Sequence, residues 1–303
     1  MVSDTEYRNH SGPIDARYGA FLETITELRP SLHRYCARMM GSAMDGEDVV
    51  QEALFEAYRK LDTFDDSRPL KPWLFRIAHN RCIDALRKRG ARDEAETAAG
   101  RPAAVEPAEP AVFGLDRAVE HLVISLPPKE RACVLLKDVF DYSLEEIAEL
   151  VDSTVGGVKA ALNRARTKLA ASPSPNRPTR RVDPELTRVM QLYVDRFNRH
   201  DWDGVRELVS ADARLAVADR FFGKFVEAPY FSNYERLPMA WRLALGEVDG
   251  EPAVIMLQRG ADVWTPYSAI RVSVADHRIE RVRDYLHCPW VISLADVSVS
   301  SRA

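Results

Sequence analysis

Three stretches of this chain carry charged or polar groups at helical spacing, and all suit binding rather than bond-making. In Ser143 to Leu169, SLEEIAELVDSTVGGVKAALNRARTKL, the groups Lys159, Asn163, Arg164, Arg166 and Lys168 follow one another with no acid among them. Ammonium, guanidinium and carboxamide groups in such a row hydrogen-bond phosphates and base edges. Ser153 or Thr154, just ahead of them, can cap the helix. An acidic stretch, DGEDVVQEALFEAYRKL, turns Glu47, Asp48, Gln51, Glu52 and Glu56 outward. The following stretch reverses sign with Arg76, Arg81, Arg87, Lys88 and Arg89, and Arg76, Asn80 and Arg87 fall near one face. A solvated helix face explains acids alone. It does not explain the reversal.

The elements that hold these groups are legible from capping and periodicity. Ser143 and Glu146 have capping-box spacing, and Leu144, Ile147, Ala148 and Val151 face Val158, Ala161 and Leu162 across a helix-turn-helix seam. Asp152 stands at the turn, where a left-handed residue is needed. Upstream, Val49, Val50, Ala53, Leu54, Ala57, Tyr58 and Leu61 form one apolar stripe, and Leu74, Ile77, Ala78, Cys82, Ala85 and Leu86 another. Pro72 suits the first turn of the second helix. Trp73 and Phe75 read as core residues. Between the helices, DTFDDSRPL, with Asp62, Asp65 and Ser67, has the composition of an exposed loop.

At 303 residues and 46% hydrophobic content the chain is large enough for two or three domains. Its net charge of −4 is unusual for a nucleic-acid binder, but local patches set the field at a groove. Cys36, Cys82, Cys133 and Cys288 are scattered, so they read as buried thiols, and no metal or other cofactor is expected. No signal peptide or membrane-length apolar run is seen, which points to a cytoplasmic protein with no membrane partner. Two segments rich in Pro, Ala and charge, 91–110 and 171–183, read as linkers. Beyond them, Asp183 and Pro184 start a helix, NRHDWDG breaks the pattern before a second, and ARLAVAD, EPAVIMLQRG, YSAIRVSVAD and RIERVRDYLH read as strands. Pro229 to Leu245 is aromatic-rich and reads as partly helical.

Taken together, DGEDVVQEALFEAYRKL, PWLFRIAHNRCIDALRKR and LPPKERACVLLKDVFDYSLEEIAELVDSTVGGVKAALNRARTKL resemble regions 2.2, 2.3–2.4 and 4 of the extracytoplasmic-function (ECF) sigma factors of bacterial RNA polymerase. The family usually has Gly where Asp152 stands. The resemblance implies region 2 over 15–90, a flexible linker over 91–110, and region 4 over 111–170. It also gives the faces their work. Asp45, Glu47, Asp48, Gln51 and Glu52 would dock on core polymerase. Asp62, Asp65, Ser67, Arg76, Asn80, Arg87 and Lys88 would meet the −10 promoter element, the loop holding an unstacked base. Thr154, Lys159, Asn163, Arg164, Arg166 and Lys168 would meet the −35 element.

Residues 184–303, after the 171–183 linker, resemble the SnoaL-like cone, best through FNRHDWDGVRELVSADARL. The expected fold is therefore multidomain: two all-α sigma domains and a C-terminal α+β cone with a curved antiparallel sheet. The resemblance implies a non-enzymatic alternative sigma factor regulated in cis, with no anti-sigma factor required. The subgroup's DGGGK motif is not intact in DRFFGK, so the regulatory contact stays open. A small-molecule ligand is the remaining partner expected, with Asp219, Trp264, Tyr267, Tyr285 and His287 as pocket candidates; Asp284 joins them as an acid/base candidate were the cone catalytic. The competing reading is a helix-turn-helix regulator with a ligand-sensing or vestigially enzymatic cone. It leaves residues 45–89 without a role.

Overall fold

A positive-φ glycine sets the first corner of the chain. Helix α1 (Pro13–Met40) ends at Gly41, whose φ of 75° suits a residue without a Cβ, and Ser42 then caps α2 (Ala43–Lys60) by accepting from the Asp45 N–H at 3.3 Å. The two helices cross closely at Gly46, where a Cβ would lie 2.5 Å from the Ala37 backbone. The exposed loop leads to α3 (Leu70–Ala98), which packs on both. The computed structural model describes residues 13–65, 67–98, 105–107, 123–171, 178–180, 183–218, 220–261 and 263–300.

Region 4 follows as α4 (Pro128–Val134), a π-helical continuation over Leu135–Val139, α5 (Leu144–Leu150) and α6 (Val155–Ala171). The capping box forms as its spacing predicts, with Ser143 and Glu146 bonded both ways. Asp152 takes φ 49°, the left-handed turn its position requires.

Both helical modules share one apolar core. Phe140 and Tyr142 of region 4 pack on Tyr35 and Phe75 of region 2, with ring centroids 5.7 to 5.8 Å apart. Arg131 of α4 is buried and donates to the Met39 carbonyl at the end of α1 and to Leu126 O at 3.1 Å. A guanidinium on the last carbonyls of a helix satisfies acceptors that have no partner in their own helix.

The C-terminal unit opens with α7 (Pro184–Asn198), capped by Asp183, and α8 (Trp202–Leu208). Seven strands follow, in the order β4 (Phe221–Lys224), β3 (Val209–Val217), β8 (Arg278–Asp284), β7 (Trp264–Ala275), β6 (Glu251–Arg259), β5 (Trp241–Val248), β9 (Val297–Val299). One face of the sheet closes on α7, α8 and α9 (Tyr230–Glu235) around an aromatic core. The other face makes a separate core with Ala43 and Met44 of α2. Helix α10 (Trp290–Leu294) packs against both α1 and α2.

Several expectations are revised. The sheet is mixed, because β3 pairs with β8 in parallel; that pairing joins residues about seventy apart and leaves no local pattern. Helix α3 runs to Ala98, into the segment read as the first linker. Three residues of each linker, β1 (Val105–Pro107) and β2 (Pro178–Arg180), pair antiparallel. Pro229 to Leu245 divides into α9 and most of β5. Tyr58, read as an apolar-stripe residue, is exposed and stands edge-on to Tyr18.

Candidate functional site

The acidic end of α2 is occupied by the C-terminal unit. Strands β7 and β8 present Arg271 and Arg283 side by side on the outer face of the sheet, and the two guanidiniums meet Asp45 and Asp48. Arg271 reaches Asp45 at 2.6 Å and Glu251 at 2.7 Å, while Arg283 pairs with Asp48. Burial pushes the Asp45 carboxyl up, but Arg271 and Arg89 outweigh it and hold the carboxyl below its usual range. Burial opposes the charge on Arg271, but Tyr285, Asp45 and Glu251 outweigh it and raise Arg271 above its ordinary value. Tyr285 donates to Asp48 at 3.0 Å, and Asp249 accepts from the Ala43 N–H at 2.7 Å at the first turn of α2.

Glu47, expected on the outside, is fully buried, which corrects its placement. A carboxylate leaves water only when its lone pairs are taken up. Here Arg29 forms an ion pair with it, and the Trp290 indole N–H donates at 2.8 Å. The Arg29 guanidinium also lies over the Trp290 ring at 5.0 Å. His33 sits 3.8 Å from Glu47, and burial pushes its pKa down, so the neutral ring donates through Nε2 to the Ala43 carbonyl at 2.9 Å. Gln51 is half-buried beside Glu47 at 3.3 Å, and Glu52 is exposed.

The basic faces are open. Arg76, Asn80, Arg87 and Lys88 lie exposed along α3. Asp62, Asp65 and Ser67 are exposed in the preceding loop, where Asp65 accepts from the Ser67 N–H and hydroxyl. On α6, Lys159, Asn163, Arg164, Arg166 and Lys168 are exposed. Arg164 and Lys168 both reach Glu130 at 2.8 Å, and Arg166 reaches Asp138 at 2.9 Å. Hydrogen bonds from Lys168 and Arg164 hold the Glu130 carboxyl below its usual range. Thr154 spends its hydroxyl on the Gly157 N–H at 3.0 Å, the capping role.

The pocket candidates in the cone do not converge. Tyr285 faces α2 instead of the interior, because neighbouring strand residues alternate sides. Trp264 packs at the outer-face core and Tyr267 at the inner one. His287 is half-buried in the segment after β8, and Asp219 lies outside the described residues. The polar group at the centre of the cone is built on Asp284, the acid/base candidate, with tyrosines outside the candidate set. Asp284 accepts from the Tyr234 hydroxyl at 2.6 Å and the Leu286 N–H at 2.8 Å, with Tyr230 and Tyr193 bonded to each other at 2.9 Å beside it. Burial pushes the Asp284 carboxyl up to about 6, against the hydrogen bonds from the tyrosines. All four cysteines are buried, and none is in a disulfide. Among the described residues no His/Cys/Asp/Glu group has metal-binding geometry, and no helix is long and apolar enough to cross a membrane.

Sequence reasoning missed Arg271, Arg283 and Trp290 as partners of the acidic helix. The alternation in RVSVAD and RIERVRDY marks the two arginines as outward-facing, and nothing local says what they or Trp290 face.

Comparison with known proteins adds the family. Residues 24–92 match Sigma-70 region 2, and residues 116–169 match Sigma-70 region 4. The chain is 29% identical over 309 residues to the ECF RNA polymerase sigma factor SigG of Mycobacterium tuberculosis (strain CDC 1551 / Oshkosh), covering 90% of this chain and 83% of that protein. A solved structure, the Mycobacterium tuberculosis extracytoplasmic function sigma factor SigJ, aligns over 87% of this chain and 95% of its own at 20% identity and a TM-score of 0.37. To the ECF RNA polymerase sigma factor SigW of Bacillus subtilis (strain 168) the identity is 33% over 162 residues, half of this chain and 87% of that one. A match of that identity across most of the relative's length makes this chain a member of the ECF RNA polymerase sigma factors.

Proposed function

We propose that this protein is an alternative sigma factor that binds core RNA polymerase, directs promoter recognition and transcription initiation, and is held inactive in cis by its C-terminal unit. Asp45, Glu47, Asp48, Gln51 and Glu52 form the polymerase-docking face. Asp62, Asp65, Ser67, Arg76, Asn80, Arg87 and Lys88 serve the −10 element, and Lys159, Asn163, Arg164, Arg166 and Lys168 the −35 element. The domains are region 2 over 15–90, region 4 over 111–170 and the cone over 184–303. The observation that carries the regulatory part is the engagement of Asp45, Asp48 and Glu47 by Arg271, Arg283 and Trp290. A polymerase surface that recognises those carboxylates must displace the two guanidiniums first. A tethered competitor acts at high effective concentration, so a modest contact suffices.

The shared core adds a second restraint. With Phe140 and Tyr142 seated on Tyr35 and Phe75, the two DNA-binding modules cannot separate to reach two promoter elements. The cone is a regulatory body and not an enzyme in this reading, and no anti-sigma factor is needed to cover α2. The work is cytoplasmic. A free-standing repressor is not favoured, since it would have no use for an acidic helix next to a basic one.

Run-off transcription with purified core polymerase tests the reading. Full-length protein should initiate weakly, and the Arg271→Ala/Arg283→Ala variant strongly from the same start site. Equal activity of the two would refute inhibition in cis, and no RNA from either would refute the sigma-factor reading.

A further inference from the structure

The outer face of the sheet is only partly covered by α2. Arg271 of β7 and Arg283 of β8 are register partners, and they take Asp45 and Asp48, three residues apart on that helix. The spacings match. Three residues of α-helix rise about 4.5 Å, and neighbouring strands lie about 4.8 Å apart. A helix that crosses the strands therefore hands one carboxylate to each strand in turn.

Two residues along the strands, a second row of cations is left without a helix. Lys224 of β4, Arg214 of β3 and Arg281 of β8 are direct cross-strand partners. Ala213, Leu215 and Val282 turn into the aromatic core of the cone, so alternation sends the three cations to the outer face. Arg214 and Arg281 are exposed and have no ion-pair partner among the described residues, and Lys224 reaches the exposed Asp212 at 3.4 Å. Like charges set directly opposite one another destabilise a sheet. An anionic occupant would relieve them. Beside the row, Phe222 is 76% exposed, opposite Ala216 and on the same face as Lys224. A duplex phosphate backbone would use the cations and leave the ring idle. The occupant that this face already takes is of another kind: a helix whose carboxylates meet the arginines while its apolar residues, Ala43 and Met44, seat on the sheet.

We infer that the second row is a docking surface for an acidic amphipathic helix of a partner protein. That helix crosses β8, β3 and β4 in the direction of α2, with carboxylates at i, i+3 and i+7 on Arg281, Arg214 and Lys224 and an apolar side chain on Phe222. Seven residues of helix rise about 10.5 Å, against about 9.6 Å for two strand spacings. Charge complementarity and continuity with the α2 seat both favour this occupant. The surface is present whether or not the protein is a sigma factor.

Fluorescence anisotropy with the full chain tests it. The probe is an alanine-based helical peptide of about 20 residues carrying Glu at i, i+3 and i+7 and Leu on the same face. It is set against the same peptide with Gln for Glu, a Gly/Ser peptide with the same three Glu, and a single-stranded oligonucleotide. The Glu helix should bind below about 100 μM at low salt, with the Gln helix and the Gly/Ser peptide each about tenfold weaker or worse. Arg214→Ala/Arg281→Ala should weaken the Glu helix about tenfold or more, with the melting temperature unchanged or raised because opposed like charges are removed. Phe222→Ser should weaken it about threefold or more. Equal binding of the Glu and Gln helices would overturn the proposal. So would a Glu helix that is lost in Arg271→Ala/Arg283→Ala and kept in Arg214→Ala/Arg281→Ala, since the peptide would then only have replaced α2. Oligonucleotide binding that falls with Arg214→Ala/Arg281→Ala while the Glu helix is indifferent to it would assign the row to nucleic acid instead, and dimerisation of the full chain abolished by that variant would assign it to a second copy; either result overturns the proposal.

Discussion

The acidic face of α2 and the basic faces of α3 and α6 belong to one continuous core, yet the first is covered from Asp45 to Asp48 while the other two stand in solvent. Coverage follows charge. The cone offers Arg271 and Arg283, which attract carboxylates and would repel α3 or α6. Ala43 and Met44 extend the contact into an apolar core shared with the outer face of the sheet. Under the proposed function the difference locates control: a cone docked on the acidic face of α2 withholds the protein from polymerase without touching the basic faces of α3 and α6.

The largest expected effect comes from reversing the charges that make the cover. Breaking a buried ion pair by changing one partner costs roughly 3–5 kcal/mol, and Arg271→Glu/Arg283→Glu sets like charges against Asp45 and Asp48. The open form should rise by more than about a hundredfold. Competition against a labelled sigma factor for core polymerase measures it.

Next is the cone's own stability. Asp284 releases its proton near pH 6 when folded and near its ordinary 3.8 when unfolded. Between those values the folded state holds more protons, so this contribution is complete below about pH 4, is lost as pH rises to about 6, and is level above. The full swing is about 3 kcal/mol. Urea melts followed in the C-terminal unit should lose this slope in Asp284→Asn. Asp45 stays ionised through most of that window because Arg271 and Arg89 hold it low. Region 2 should respond in the opposite sense, because burial depresses His33 beside α2 and pushes His79 of α3 down to about 4, so its stability is lost as pH falls below their unfolded value near 6.5.

What was legible in the sequence was whatever is local. The capping box at Ser143, the turn at Asp152 and the helix start at Asp183 depend on residues within four positions of one another, and the structure forms all three. The order of charged helices was legible for the same reason. The burial of Glu47 was not, because its partners Arg29 and Trp290 are 18 and 243 residues away and an isolated glutamate reads as solvated. Tyr285 was assigned to the wrong side because its orientation depends on the bond from its N–H to the Ala269 carbonyl of β7, just past the end of β8, which no periodicity announces. Asp284, one residue earlier, takes the interior place instead.

On the open side, the exposed row of α6 divides by commitment. Arg164 and Arg166 are paired with Glu130 and Asp138, whereas Asn163 carries a carboxamide suited to an adenine edge. Asn163→Ala should cost about 1–3 kcal/mol in −35 binding and relax base preference at one position. Lys159→Ala should weaken all sequences alike and lower the salt slope by about 1. Fluorescence anisotropy on −35 duplexes, with the charge-reversed Arg271/Arg283 variant so that the module is free to engage, separates the two.

The smallest effect tests whether the open face depends on its scaffold or on its own side chains. Ser143 accepts from the Glu146 N–H at 3.2 Å, and the Ser143 N–H donates to the Glu146 carboxylate at 2.8 Å. Ser143→Ala removes one half of that exchange, worth about 1 kcal/mol of stability. Helix α5 holds α6 through Ile147, Ala148, Val158 and Ala161, all buried and distant from the reading groups. The melting temperature should therefore fall by a few degrees while the affinity for −35 duplex at 25 °C stays within a factor of two, about 0.4 kcal/mol. A larger loss of affinity would mean that the start of α5 takes part in binding, and would move the boundary of the open face from α6 onto the first helix of the pair.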